Sequence, residues 1–90
     1  IIMNKYLVEF LGTLFFIYII LATDNALAIG AALAVAVILG GPISGGCFNP
    51  AVSVVMAAAG KIPNSDLLPY ILAEVLGGLA ALELFKRMKN

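Results

Sequence analysis

The side chains best suited to bind a polar solute lie in residues 40–51, which read GGPISGGCFNPA. This segment places four glycines, two prolines and one asparagine between two apolar runs. Its amide, hydroxyl and carbonyl groups can donate and accept hydrogen bonds. Irregular backbone at membrane depth is tolerated only where protein buries it or where it lines a watery cavity. The segment therefore predicts a re-entrant loop that faces a pore.

The end of this segment predicts a short helix. Asn49 is a good N-cap, and Pro50 suits the first helical position, where its missing N–H is no loss. Helix-tolerant residues continue to Gly60, so the helix is about 15 Å long at ~1.5 Å per residue, half of a bilayer core of about 30 Å. The positive end of its dipole and the Asn49 amide would lie near the midplane. The alternative is an ordinary capped helix after a glycine-rich turn.

Two acidic residues fall inside apolar runs. Glu9 lies about one turn from the start of the first run, and Glu74 lies about 12 Å into the last one at ~1.5 Å per residue. An ionisable side chain inside a membrane span marks a functional or structural polar site. For Glu9 the alternative is an interfacial carboxylate. Glu74 is expected to face protein or water rather than lipid.

The composition indicates a membrane protein. The 90 residues are 63% hydrophobic, with a mean hydropathy of +1.14, more than a soluble domain needs. Five basic and five acidic residues give no net charge and no basic patch for nucleic acid. With no histidine and the single cysteine Cys47, the usual nucleophile–base pairs and zinc sites cannot be assembled in one chain. We expect no enzyme, metal or cofactor, and membrane lipid as the surrounding partner.

Apolar runs separated by short polar segments predict the order of elements. The segments are a first span over residues 5–23, capped by Asn4, a second span over 26–41, a re-entrant loop and half-helix over 42–59, and a third span over 66–85. The charged residues 86–90 are expected to anchor the end of the last span at the interface. The sequence thus predicts an all-α membrane protein with three transmembrane helices and one re-entrant half-helix, as a single unit over residues 1–90.

Four short strings in this order carry a resemblance to a known family. They are VEFLGT at residues 8–13, LAIG at 27–30, ISGGCFNPAVS at 43–53 and AEVLGG at 73–78. An isolated Asn-Pro-Ala tripeptide is weak evidence for a family. The extended string around it, correctly spaced from three spans, is specific evidence. Over nearly its whole length, the chain resembles the first half of an aquaporin-family (major intrinsic protein) channel. The resemblance implies a passive channel for water and small neutral solutes such as glycerol.

The resemblance also implies roles for individual residues. In the family this unit occurs twice in inverted orientation, and the two half-helices meet at the membrane centre. Their Asn-Pro-Ala turns, here Asn49-Pro50-Ala51, line a narrow pore. Asn49 would donate its amide N–H to a permeating water or hydroxyl, while the carbonyls of Gly45, Gly46 and Cys47 accept. Glu9 matches a family carboxylate that holds the loop by hydrogen bonds to its backbone.

The resemblance covers one of the family's two repeats, so a pore needs a second half. The simplest completion is a second copy of this chain in the opposite orientation. With three spans, the basic residues divide almost evenly between the two sides of the membrane: Lys5 and Lys61 on one, and Lys86, Arg87 and Lys89 on the other. This division does not fix one orientation by the positive-inside rule. It predicts dual topology and an antiparallel dimer as the pore unit. If the family's fourfold assembly persists, eight chains form four pores.

In such a pair, one chain used twice supplies the selectivity filter. By alignment with the family pattern, Ile29 takes the place of a bulky filter residue, and Val52 takes the place of the filter arginine. Gly46 takes the small position that precedes the arginine, and Val37 is a fourth candidate. This filter is aliphatic and lacks arginine. It suggests a wide filter that passes water with small neutral solutes rather than water alone.

Three departures from the family pattern bear on the loop. Pro42 and Cys47 stand where many members have histidine, and Glu74 replaces a commonly found glutamine, although Glu74 is expected to remain a structural polar brace like Glu9. Cys47 is expected either at the pore mouth, open to thiol reagents, or as a small buried filler. Alternatives for the whole chain are a fragment, a half that needs a different half-chain partner, and a non-conducting scaffold or regulatory subunit. A scaffold should tolerate substitution of Asn49, whereas a pore should not.

Overall fold

This computed structural model describes residues 4–88. They contain four α-helices and one 3₁₀ turn. In order they are α1 (Lys5–Ala22), α2 (Ala26–Ser44), α3 (Pro50–Ala58), the 3₁₀ turn (Asn64–Asp66) and α4 (Leu67–Met88). Helices α1 and α2, and α4 together with its preceding turn, are long and apolar enough to cross a membrane. The all-helical fold with three spanning helices and one short helix is confirmed. Lys89 and Asn90 of the expected anchor lie outside the described residues.

Asparagine caps fix the starts of α1 and α2. Asn4 Oδ1 accepts the backbone N–H of Tyr6 at 2.7 Å, as the sequence predicted for the first span. Asn25 Oδ1 accepts the N–H of Ala28 at 2.9 Å. Each cap provides a partner for one of the backbone donors that a helix leaves unpaired at its start. The short polar turn between α1 and α2 therefore ends one helix and begins the next.

Helix α2 continues past the predicted end at residue 41 and includes Pro42. A proline inside a helix removes one backbone hydrogen bond, which usually kinks or ends the helix. Here the last turn keeps other partners, because Gly45 N–H donates to Gly41 C=O at 2.8 Å and Ser44 Oγ lies 3.3 Å from Gly40 C=O. Gly45 then ends the helix in a left-handed conformation (φ 89°). Pro42 thus belongs to α2 and not to the descending loop.

Helix α1 is the central element of the fold. It packs against both α2 and α4, whereas α3 packs against α4 and the 3₁₀ turn. Within the described residues, the backbone of α2 does not pack against α3 or α4, although Tyr70 of α4 donates to the C=O of Ser44, the last residue of α2. The close approach of α1 to α4 depends on Gly77, because any side chain there would overlap the Phe10 carbonyl group. In one copy of the chain, α2 and α3 are thus joined by the loop without packing against each other.

Two glycines form a seat for the Phe48 ring between α1 and α2. The ring is buried and packs with Val8 and Ala36. Gly12 on α1 and Gly40 on α2 face the ring so closely that a Cβ at either position would overlap it. The aromatic side chain of the loop is thus fixed on the two helices, and the loop backbone is fixed with it.

Replacing Gly12 should disturb this seat. We expect Gly12→Ala to destabilise the fold by about 1–3 kcal/mol, the usual cost of overpacking a core. The matched control is Gly30→Ala, because a Cβ at Gly30 meets nothing within 4 Å and alanine favours a helix. Thermal unfolding in detergent should show a lower midpoint for Gly12→Ala and an unchanged or higher one for Gly30→Ala. Equal midpoints for the two variants would contradict the proposed packing.

Candidate functional site

The loop between α2 and α3, residues 45–49, is built from left-handed backbone. The φ angles are 89° at Gly45, 67° at Gly46 and 54° at Phe48. A non-glycine residue with positive φ is uncommon, so the surroundings of Phe48 must hold it there. Gly46 lies directly on α2, because a Cβ at Gly46 would be 3.4 Å from the Gly41 Cα and 3.5 Å from the Val37 Cα. The loop follows the surface of α2 before it turns into α3.

Glu9 of α1 holds this loop by three hydrogen bonds. Its carboxylate is fully buried. Oε2 accepts Ser44 Oγ–H at 2.6 Å and the Cys47 N–H at 3.2 Å, and Oε1 accepts the Phe48 N–H at 2.8 Å. Hydrogen bonds to a charged acceptor are stronger than neutral ones. They also satisfy loop donors that helical bonds cannot reach.

Asn49 ends the loop and begins α3. Its Oδ1 accepts the Ala51 N–H at 2.8 Å, and Pro50 occupies the first turn. The residue is exposed. Because Oδ1 serves the cap, the two Nδ2 hydrogens are the donors that Asn49 can offer to a solute. Asn49 is the N-cap of α3, a helix of nine residues. The positive end of the α3 dipole therefore lies beside the Asn49 amide.

Glu74 of α4 anchors α3. The side chains of Glu74 and Ser53 are both buried, and Ser53 Oγ donates to Glu74 Oε2 at 2.7 Å. The other carboxyl oxygen, Oε1, is also buried, and no donor of the described residues completes a hydrogen bond to it. Glu74 thus faces protein, one of the two surroundings that the sequence predicted, and one of its two carboxyl oxygens has no hydrogen-bond donor among the described residues.

The side chain of Cys47 lies in a core cluster and not at an open surface. It is 3% exposed and packs with Ala57, Ile62 and Tyr70. The expectation of a thiol at the pore mouth is therefore wrong, and the alternative of a small buried filler is right. The reason is the backbone turn at residues 45–48, which directs the thiol between α3 and α4. A role for the Cys47 carbonyl remains a prediction.

Burial should protect the Cys47 thiol from reagents. We expect it to react with a maleimide at least about tenfold more slowly in the folded chain than in denaturant, because burial limits access. The matched control is Val52→Cys in a Cys47→Ser background, since Val52 is 41% exposed. That thiol should react at similar rates in both conditions. Fast labelling of Cys47 in the folded chain would contradict its placement.

A polar cluster joins the helix ends on the side of the membrane where the loop begins. The Lys5 ammonium and Asp66 Oδ2 form an ion pair at 2.6 Å, and Tyr6 O–H donates to Asp66 Oδ1 at 2.7 Å. The Tyr6 and Tyr70 rings pack edge to face, with centroids 5.8 Å apart. Tyr70 O–H donates to the Ser44 C=O at 2.7 Å. The cluster ties α1, α4 and the end of α2 together.

The four residues proposed for the filter are not gathered in one copy of the chain. Gly46 lies against Val37. Ile29 lies more than two turns earlier on α2. Val52 lies on α3, beside a shallow apolar depression that it lines with Ala51, Val55 and Met56. Ile29 and Val52 therefore lie on two different helices, whose backbones do not pack against each other.

Sequence reasoning did not identify the hydroxyl partners of the two carboxylates. Ser44 donates to Glu9 and Ser53 donates to Glu74; Tyr70, which was also missed, donates to the backbone C=O of Ser44. A usable signal was present, because buried carboxylates need donors and few hydroxyl groups interrupt the apolar runs. The seat of Phe48 was missed as well, although Gly12 and Gly40 could have indicated a bulky neighbour.

Comparison with known proteins places the chain in a family. The model of the major intrinsic protein family matches residues 2–90. Glycerol uptake facilitator protein-like 6 of Lactiplantibacillus plantarum is 39% identical over 88 residues, and aquaporin Z of Brucella melitensis biotype 1 is 41% identical over 95. Each alignment covers 88% of this chain and 41% of the relative. Aquaglyceroporin AqpS of Rhizobium meliloti is 46% identical over 56 residues, which cover 62% of this chain and 24% of that protein.

The chain spans about two fifths of the length of the first two relatives. No solved structure gives a significant match. The family match nevertheless extends over nearly every residue, and it agrees with three helices that can span a membrane. The chain therefore belongs to the major intrinsic protein family and is an integral, multi-pass membrane protein.

Proposed function

We propose that this chain forms one half of a passive channel for water and small neutral solutes such as glycerol. The observation that carries the proposal is the exposed Asn49 amide at the N-terminus of α3, held in place through the bonds of Glu9 to the loop. An amide N–H donates to the oxygen of water or of a hydroxyl. The positive end of the α3 dipole disfavours a cation or a proton at the same point.

The relatives support both solute classes. Their names describe glycerol uptake, an aquaporin and an aquaglyceroporin. In this chain the proposed filter consists of Ile29, Gly46 and Val52, with Val37 beside them. None of the four can donate a side-chain hydrogen bond, so the filter selects by size and the carbonyls of residues 45–47 accept from the solute. An aliphatic filter without arginine favours solutes larger than water.

The pore is completed by a second copy in antiparallel orientation. Two observations support this: α2 and α3 do not pack against each other, and one copy leaves Val37 and Val52 exposed. The outer face of α2 is apolar and strongly exposed, as at Ile38 and Leu39, which suits contact with lipid or with another helix. Four such pairs, eight chains in all, would give the fourfold assembly.

A half-chain partner of different sequence is the second candidate. The chain covers 41% of the length of the first two relatives, and in this candidate a different polypeptide supplies the complementary half. The orientation of the chain in the membrane distinguishes pairing with itself from pairing with a different half-chain. In a Cys47→Ser background, Lys61→Cys should be labelled by an impermeant maleimide from both sides of sealed vesicles if the chain pairs with itself. Labelling from one side alone would rule out antiparallel self-pairing and favour a different partner.

Val52→Arg tests the filter. Arginine would place a long cation at a position assigned to the filter and narrow the pore. We expect permeation of glycerol into liposomes to fall more than permeation of water, measured by light scattering under glycerol and sucrose gradients. Val54→Arg is the control, since Val54 is exposed on the same helix and outside the proposed filter. Unchanged glycerol permeation in Val52→Arg would contradict the assigned position.

A further inference from the structure

The two buried carboxyl groups, Glu9 and Glu74, face each other without a donor between them. Glu9 of α1 and Glu74 of α4 interact directly and are 0% and 1% exposed. As carboxylates, both are acceptors only. The backbone of Asn49 approaches Glu74 from the loop, yet within residues 4–88 no donor completes a hydrogen bond to Glu74 Oε1. A single hydrogen atom on one of the two carboxyl groups would supply the missing donor.

Among the residues that the structure describes, no ion pair reaches the two carboxyl groups. The ion pairs of the described residues join Lys5 to Asp66 and Arg87 to Glu83, and neither reaches this site. The groups that face Glu74 are Glu9 from α1, Ser53 and the Asn49 backbone from α3 and its cap, and Cys47 from the loop. All are neutral or acidic. Two like charges in one buried site without a counter-ion do not both ionise.

We propose that Glu9 and Glu74 form a buried proton-binding site in which one proton is carried on Glu74 Oε1 and donated to Glu9. The proton supplies the donor that Oε1 lacks. We assign it to Glu74 because the Glu9 carboxyl already accepts three other hydrogen bonds, whereas the Glu74 carboxyl accepts one from Ser53. The site links α1, α3 and α4, and it does not depend on whether the chain conducts.

Infrared spectroscopy detects such a proton directly. In an ester-free detergent at neutral pH, the chain should show the C=O stretch of a protonated carboxylic acid, and ¹³C labelling of glutamate should shift it. Glu74→Gln should lose the band. Glu83→Gln is the matched control and should keep it, because Glu83 is exposed on the same helix. Absence of the band in the unmodified chain, or its survival in Glu74→Gln, would overturn the proposal.

Stability gives a second readout. A proton on Glu74 is lost as the pH rises, which leaves two facing carboxylates that repel each other. The unfolding midpoint of the unmodified chain should therefore fall at alkaline pH by more than that of Glu74→Gln, whose amide reproduces the neutral acid. If the unfolding midpoints of the unmodified chain and of Glu74→Gln fall equally at alkaline pH, the proposal is overturned. Failure of Glu74→Gln to fold at neutral pH would overturn it as well, because a neutral isostere should be accepted.

Discussion

Glu9→Ala should abolish the function of the loop and much of the stability of the fold. The substitution removes the acceptor of three hydrogen bonds, two of them from the backbone N–H groups of Cys47 and Phe48. Each buried donor left without a partner costs about 1–3 kcal/mol. The sum is a large part of a typical folding free energy of about 5–15 kcal/mol. We expect a strongly lowered unfolding midpoint in detergent and water flux no faster than that of empty liposomes.

The effect should be specific to the buried carboxylate. Glu83→Ala removes an exposed glutamate whose partner is Arg87 one turn away, and exposed pairs contribute little. We expect this control to keep its midpoint and its flux. Glu9→Gln should be intermediate, because its amide keeps one acceptor oxygen but presents an N–H group to the loop donors. If Glu9→Ala unfolds at the same temperature as the unmodified chain, the loop does not depend on Glu9.

Asn49→Asp should stop water permeation without unfolding the chain. Aspartate is also a good N-cap, and a negative charge is favourable at the α3 N-terminus. The two Nδ2 donors are lost, however, and a charged acceptor takes their place. We expect permeability to fall at least about tenfold, which corresponds to about 1.4 kcal/mol on the barrier, as measured by stopped-flow shrinkage of liposomes.

The second cap asparagine provides a matched control. Asn25 is also exposed, and its Oδ1 also accepts a backbone N–H, that of Ala28. It caps α2 at the opposite end from the loop. We expect Asn25→Asp to keep the unmodified permeability. If Asn49→Asp conducts like the unmodified chain, Asn49 does not line the pore.

The sequence was sufficient for the features that local chemistry determines. Apolar runs long enough to span gave the three helices, and Asn4 and Pro50 marked helix starts by capping rules that act over one turn. The end of α2 was different. Pro42 is a helix breaker by local rules, but the turn that follows it is stabilised by Ser44, which donates to Glu9 on another helix. Ser44 and Glu9 are 35 residues apart in the sequence, so no local rule could have indicated their contact.

The site shows the same division. The extended string around Asn49 indicated the loop and its half-helix, because the residue types themselves carry the signal. The direction of Cys47 could not be predicted, since it depends on positive φ angles at Gly45, Gly46 and Phe48 that the tertiary contacts impose. The pairing of Ser53 with Glu74 depends on how α3 packs on α4. Such partners follow from packing and have no local pattern.

The most direct test of the central claim is the osmotic water permeability of liposomes that contain the purified chain and no other protein. The shrinkage rate under a sucrose gradient is measured by stopped flow and compared with that of empty liposomes of the same size and lipid. We predict faster shrinkage that scales with the amount of chain per vesicle, because antiparallel copies complete the pore. A rate equal to that of empty liposomes would contradict a pore made from this chain alone.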